Sequence, residues 1–181
     1  MLSDALLSKT AYSDDATLVA ALGTQGVRQL AIAESAPSYA VLDMPTLIAR
    51  LAGHPEPRLR AALIPLFLRR SEFAGHVPEL VQMLAPAAAD TLRHFYTAAV
   101  YLQRLWLSTL RMHLDSLSLL PDYFGQSHYR LPPPDEKFGE AGLRSLARLY
   151  GSQTGLDWLS LYDTTMNLFL QQLSLDQVYH G

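Results

Sequence analysis

The feature that most constrains this chain is an apolar stripe near its middle, in which Leu92, Phe95, Ala99, Leu102, Trp106, Leu110 and Leu114 step by three or four residues. That period belongs to a helix with one buried face. Arg93, Arg104 and Arg111 fall off the stripe, and with His94 and Gln103 they interrupt the stretch too often for a membrane span. Pro86 suits a first helical turn and Asp90 the positive end of the helix dipole. The pattern predicts one long helix over about 86–114, to which the rest of a 181-residue chain must pack. A chain of this length buries enough surface for a single core without a metal or disulfide staple. One domain over 1–181 is therefore expected.

Punctuation by Gly, Pro and capping residues divides the remainder into shorter helices. Asp14 or Asp15 caps a helix through Leu22 that Gly23 and Gly26 end. Between 28 and 42, two short strands compete with a helix and a loop. Asp43 caps a helix reaching Leu51 and closed by Gly53. Pro57 opens the next, with Leu59, Ala62, Leu63, Leu66 and Phe67 on one face and Pro65 inside it as a kink. Ser71 caps a short turn, and Pro78 starts a helix carrying Leu80, Val81 and Leu84. Beyond the long helix, the segment 116–134 is unpatterned, yet its Tyr123, Phe124 and Tyr129 predict a packed loop. A C-terminal helical pair spans 135–173. Asp135 caps the first member, whose Phe138, Leu146, Leu149 and Tyr150 face inward and which Gly139 and Gly142 weaken. The second runs from about Thr154 to Leu173 and is apolar over more than half its circumference, the pattern of a helix covered on more than one side. The fold class is all-α: a compact helical bundle around a long central helix.

Composition narrows the function. The apolar fraction is 49% and the charged fraction only 17%, well below ordinary soluble usage. A surface short of charge exposes apolar groups, and such patches mark contacts with other chains. Twelve of the fourteen basic residues are Arg and the net charge is −3, so bulk electrostatics supports neither nucleic acid nor anionic lipid as a partner. With no Cys, thiol catalysis, disulfides and thiolate metal sites are absent and a cytoplasmic location is expected. The N-terminus has neither a basic segment nor an apolar run of the signal-peptide kind. The six His residues show no ligand spacing on one helix face, so neither metal nor cofactor is expected. No phosphate-binding Gly loop, dinucleotide fingerprint or nucleophile elbow occurs.

Three stretches of the sequence bear on function. The phrase His54-Pro55-Glu56-Pro57-Arg58-Leu59-Arg60-Ala61-Ala62-Leu63-Ile64-Pro65 resembles the second half of a HEAT-type repeat, with the helix before it as the first half. That resemblance implies a single HEAT-like hairpin over 44–70, with Arg58 and Arg60 at an exposed edge. The phrase through Arg70 is also similar to small helical proteins that accompany bacterial nucleotidyltransferases. Arg70-Ser71-Glu72-Phe73-Ala74-Gly75-His76 looks like the Arg-x(4–6)-His motif of HEPN-type ribonucleases, which implies Arg70 and His76 acting on an RNA phosphate and its 2′-hydroxyl. Third, Asp122, Tyr123, His128, Tyr129 and Arg130 gather polar groups that a pocket beside the 116–134 loop would use. The first expectation is a non-enzymatic helical module that binds another protein or itself, through Arg58, Arg60 and the 154–173 helix with Trp158, Leu161 and Phe169. The ribonuclease and the small-molecule pocket are the alternatives.

Overall fold

The computed structural model describes residues 15–30 and 41–180, and among them every regular element is a helix. The segment 31–40, on which most of the strand-or-helix question fell, lies outside the described residues. Helix α1 runs through 15–24 and turns out at Gly26, whose φ of +82° favours glycine. Helix α2, Met44–Ala52, begins as its cap predicts: the Asp43 carboxylate accepts from Thr46 N at 2.9 Å, and those bonds hold it below the usual carboxylate range. The next two helices, α3 (Pro57–Ala61) and α4 (Leu63–Arg69), are one run broken at Ala62. Pro65 explains the break, because its ring displaces the backbone four residues earlier and it has no N–H to give. A tight turn over Ser71–His76 leads to α5, Val77–Met83. Ser71 does not cap that turn; its Oγ accepts from Ser118 N at 3.2 Å, fastening the distant loop.

The central helix departs from expectation in one respect. Helix α6 spans Pro86–Leu105 and α7 spans Leu107–His113, with Trp106 between them at φ −106° and ψ 17°. No Gly or Pro marks this break, so packing rather than local propensity sets it: it swings α7 against the C-terminal helix while keeping Leu110 buried. Helix α6 is the hub, touching α2, α3, α4, α5 and α8. Its buried face carries Leu92, Phe95, Ala98, Ala99 and Leu102 as the stripe predicts, and Tyr96 and Tyr101 besides.

The 116–134 segment is irregular and packed down, and α6 is what holds it. Tyr96 donates to Pro121 O at 2.8 Å, Tyr101 to Pro132 O at 2.6 Å, and Arg104 to Leu120 O at 3.1 Å. Gln103, fully buried, donates to Ser118 O at 2.9 Å and accepts from Leu120 N at 2.7 Å. An irregular segment can lie on a core only if its backbone groups find partners, and these side chains supply them. Replacing Gln103 by Leu strands that carbonyl and that amide, so a loss of roughly 1–3 kcal/mol is expected. Hydrogen exchange would report it as lost protection at the Leu120 amide.

The C-terminal pair is α8, Glu140–Thr154, and α9, Trp158–His180. The first starts at Glu140, four residues later than an Asp135 cap predicts, and Asp135 pairs instead with Arg104 at 3.3 Å. Between Asp135 and α8, Lys137, Phe138 and Gly139 take φ of 48°, 56° and 87°, a left-handed turn that costs the two non-Gly residues roughly 1–2 kcal/mol each. Phe138 consequently points outward, 77% exposed rather than inward. Leu149 is also at the surface, whereas Leu146 and Tyr150 are buried as expected. The second helix is capped by Asp157, which accepts from Ser160 N at 3.2 Å, and it outruns the predicted Leu173. Asp176, one turn beyond that residue, ties it back through Arg69 at 2.9 Å and Arg28 at 3.5 Å.

Candidate functional site

Where α3, α6, α8 and α9 meet, the packing leaves a cavity of about 250 Å³, lined among others by Arg60, Asp90, His94, Tyr150, Trp158 and Leu161. Each wall has a reason to be where it is. Pro57 opens α3 and sets Arg60 on its last turn. Asp90 and His94 lie one turn apart on α6, so they share a face. Tyr150 comes from the end of α8 and Trp158 from the first residue of α9, two positions brought close by the short connection at Gly155 (φ +72°). The floor is aromatic. The rings of His94 and Tyr150 stack with centroids 3.6 Å apart and planes 8° from parallel, and Trp158 meets both edge-on at 4.5 and 5.9 Å. Phe95 closes the back, 6.1 Å from Trp158.

The polar groups here form one chain with an open end. Tyr150 OH donates to Asp90, 3.1 Å from Oδ1 and 3.2 Å from Oδ2. Having given its only proton there, it must accept from Tyr129 OH at 2.8 Å. Burial pushes both phenols well above their ordinary range, so they remain protonated donors. His94 Nε2 lies 2.6 Å from Tyr162 OH, and burial holds the imidazole pKa down at about 3. It is a neutral, structural ring at ordinary pH. Two charges are left over: among the described residues the half-buried Arg60 guanidinium makes no hydrogen bond or ion pair, and Asp90, at the solvent-exposed rim, meets no cation within ion-pair range.

The residues singled out from sequence distribute as follows. Arg60, Trp158 and Leu161 converge on this cavity. Arg58 and Leu161 border an adjoining apolar groove of about 490 Å³ that also has Pro57, Ala61 and Leu168 in its walls. Arg58 itself pairs with Glu56 at 3.2 Å. Phe169 is fully buried, so it is a core residue and not a surface one. Arg70 and His76 both lean on Phe73: the guanidinium carbon is 5.4 Å from the ring centroid and the imidazole centroid 6.0 Å. Arg70 Nε also lies 2.8 Å from Glu72, a charge contact without hydrogen-bond alignment, since that buried N–H has no accepting partner.

In the 116–134 loop, Asp122 closes a turn by accepting from Gly125 N at 2.6 Å and Gln126 N at 3.2 Å. Tyr123 stacks on Tyr96 with centroids 5.5 Å apart. His128 and Arg130 are exposed, Arg130 at φ 56°, and the Tyr129 hydroxyl belongs to the chain described above. Asp90, His94 and Tyr150 were not singled out from sequence as site residues. Their only sequence signal was an acid and a histidine spaced by one turn on the long helix.

No group of His and acidic side chains among the described residues is arranged to hold a metal ion, and none of the described helices is long and apolar enough to cross a membrane. The chain matches no protein-family model, and no curated protein or solved structure is detectably similar to it.

Proposed function

We propose that this protein is a non-enzymatic helical interaction module, and that its binding surface is the outer shoulder of α9, which pairs with a second copy of the chain. The observation that carries this reading is the placing of Leu161, Leu168 and Leu175 seven residues apart along a helix whose core face is already filled by Tyr162, Met166, Phe169 and Leu173. Leu168 is 45% and Leu175 56% exposed, and Tyr179 continues the line at 81%. A single exposed Leu needs no explanation, but a repeat at helical spacing makes a seam.

Two things favour a second copy as the occupant. From Leu161 to Leu175 the seam extends about 21 Å at 1.5 Å per residue, long enough for helix-on-helix packing. Between those leucines the outward face carries Thr164, Asn167, Gln171 and Ser174, and only Asp163 is ionisable. Like can therefore meet like without charge repulsion. The low charge of the whole chain points the same way. Helix α3, part of the hairpin read as HEAT-like, supplies Pro57, Arg58 and Ala61 to the other wall of the groove beside Leu168.

Association stabilises the folded state by mass action, so the melting temperature of the chain is expected to rise with protein concentration. Leu168→Asp should melt at a temperature independent of concentration while keeping its helical circular-dichroism signal. A concentration-independent melt for the unsubstituted chain would dismiss the reading.

A further inference from the structure

We infer that the cavity between α3, α6, α8 and α9 is a binding site for a small zwitterion, a molecule of amino-acid size carrying both an ammonium and a carboxylate. Its two unspent charges are of opposite sign and come from different elements, Arg60 from α3 and Asp90 from α6. They lie outside the 4.0 Å ion-pair range of one another, so neither neutralises the other. A half-buried guanidinium without a partner is a fork prepared for a carboxylate. Asp90 keeps acceptor capacity beyond the one proton it receives from Tyr150, and the aromatic surface beside it favours an ammonium over a neutral group.

The same features argue against other ligand classes. A phosphate-rich ligand would meet one cation and one repelling carboxylate. A simple amine would meet Arg60, and an uncharged apolar molecule would cover the half-buried Arg60 guanidinium without pairing it. At about 250 Å³ the cavity is smaller than those that hold drug-sized ligands. Pro57, Phe95 and Leu156 offer apolar surface for the body of the ligand. The order of the pocket is set in advance: Tyr150, itself held by Tyr129, donates to the Asp90 carboxylate, and the His94–Tyr162 contact fixes the imidazole that stacks on the Tyr150 ring.

Trp158 is itself a wall, so its fluorescence reads occupancy directly. Trp106, the other Trp, can be replaced by Phe to leave one reporter; its Nε1 has no hydrogen-bond partner to lose. Thermal shift on the unsubstituted chain serves as a second readout. The probes are the common L-α-amino acids, γ-aminobutyrate and 5-aminovalerate, and for whichever binds best, its amine-only and acid-only analogues.

Saturable binding is expected for at least one zwitterion, at least tenfold tighter than either single-charge analogue. Arg60→Gln should remove the preference over the amine, and Asp90→Asn the preference over the acid. No saturable response to any zwitterion, equal affinity for the three analogues, or unchanged preferences in both variants would each overturn the assignment. Neither residue lies on the α9 seam, so both variants keep the concentration-dependent melt if that reading is right, and the two proposals fail separately.

Discussion

Replacing Gly142 by Ala should destabilise the protein by roughly 3 kcal/mol, although the residue lies inside a helix, where the same change ordinarily gains about 1 kcal/mol. The sign is decided by Tyr101. A Cβ at position 142 would overlap the Tyr101 ring, and that ring has nowhere to go. Its hydroxyl is held by Pro132 O at 2.6 Å, it is fully buried, and the backbone at Gly125 and Gly139 closes on the same residue. A Cβ at 125 would approach the Tyr101 hydroxyl at 2.6 Å and one at 139 its carbonyl oxygen at 2.5 Å. Three glycines thus make a socket for one tyrosine. Gly23, in α1, is the control: nothing stands within 4 Å of a Cβ there, so Gly23→Ala should gain up to about 1 kcal/mol. Denaturant unfolding of the two variants compares the signs directly, and a stabilised Gly142→Ala would show that Tyr101 is loosely held.

Acidification should cost the protein on the order of 4 kcal/mol between pH 6.5 and pH 3 through His94 alone. In the unfolded chain the imidazole takes a proton below about pH 6.5. In the folded chain it stays neutral to about 3, because burial penalises the imidazolium. Within that window the unfolded state binds more protons, so stability is complete above pH 6.5 and falls as pH drops, by up to about 1.4 kcal/mol per pH unit. His94→Phe removes this slope. It also deprives Tyr162 of its partner at 2.6 Å, which should cost roughly 1–3 kcal/mol at pH 7. The variant is therefore less stable at neutrality, and its deficit closes as pH falls and is reversed by about pH 4. Unfolding free energies at pH 7, 5.5 and 4.5 would show converging curves; parallel curves would mean that water reaches the folded imidazole.

Both expectations rest on α6, and they mark where the sequence stops being readable. Asp43, Gly53, Pro57 and Gly26 announce their helix ends because capping and turn chemistry act over a few residues. The 92–110 stripe announces a core face for the same reason. The break at Trp106 has no local signal, since it follows from how α7 seats against α9. Gly139 and Gly142 read locally as helix-weakening residues, and only Tyr101, far away in sequence, shows why a side chain is excluded there. Asp135 likewise looks like a cap until Arg104 claims it and the chain passes through the left-handed turn at 137–139.

The candidate site divides in the same way. Arg60, Trp158 and Leu161 stood out in sequence because of composition and position, one on an Arg-bearing hairpin and two on an over-apolar helix. Asp90 and Tyr150 become a pair only when α6 and α8 are packed together, sixty positions apart in the chain. The Tyr129 hydroxyl then reaches Tyr150 from the loop.

The reading of this protein as an interaction module stands most directly on its mass in solution. Sedimentation equilibrium on the full chain across the micromolar range should give twice the 20.1 kDa chain mass, and Leu168→Asp and Leu175→Asp, both at exposed positions, should each give 20.1 kDa with the fold intact. A mass of 20.1 kDa for the unsubstituted chain throughout that range, or a dimer that survives both substitutions, would contradict it.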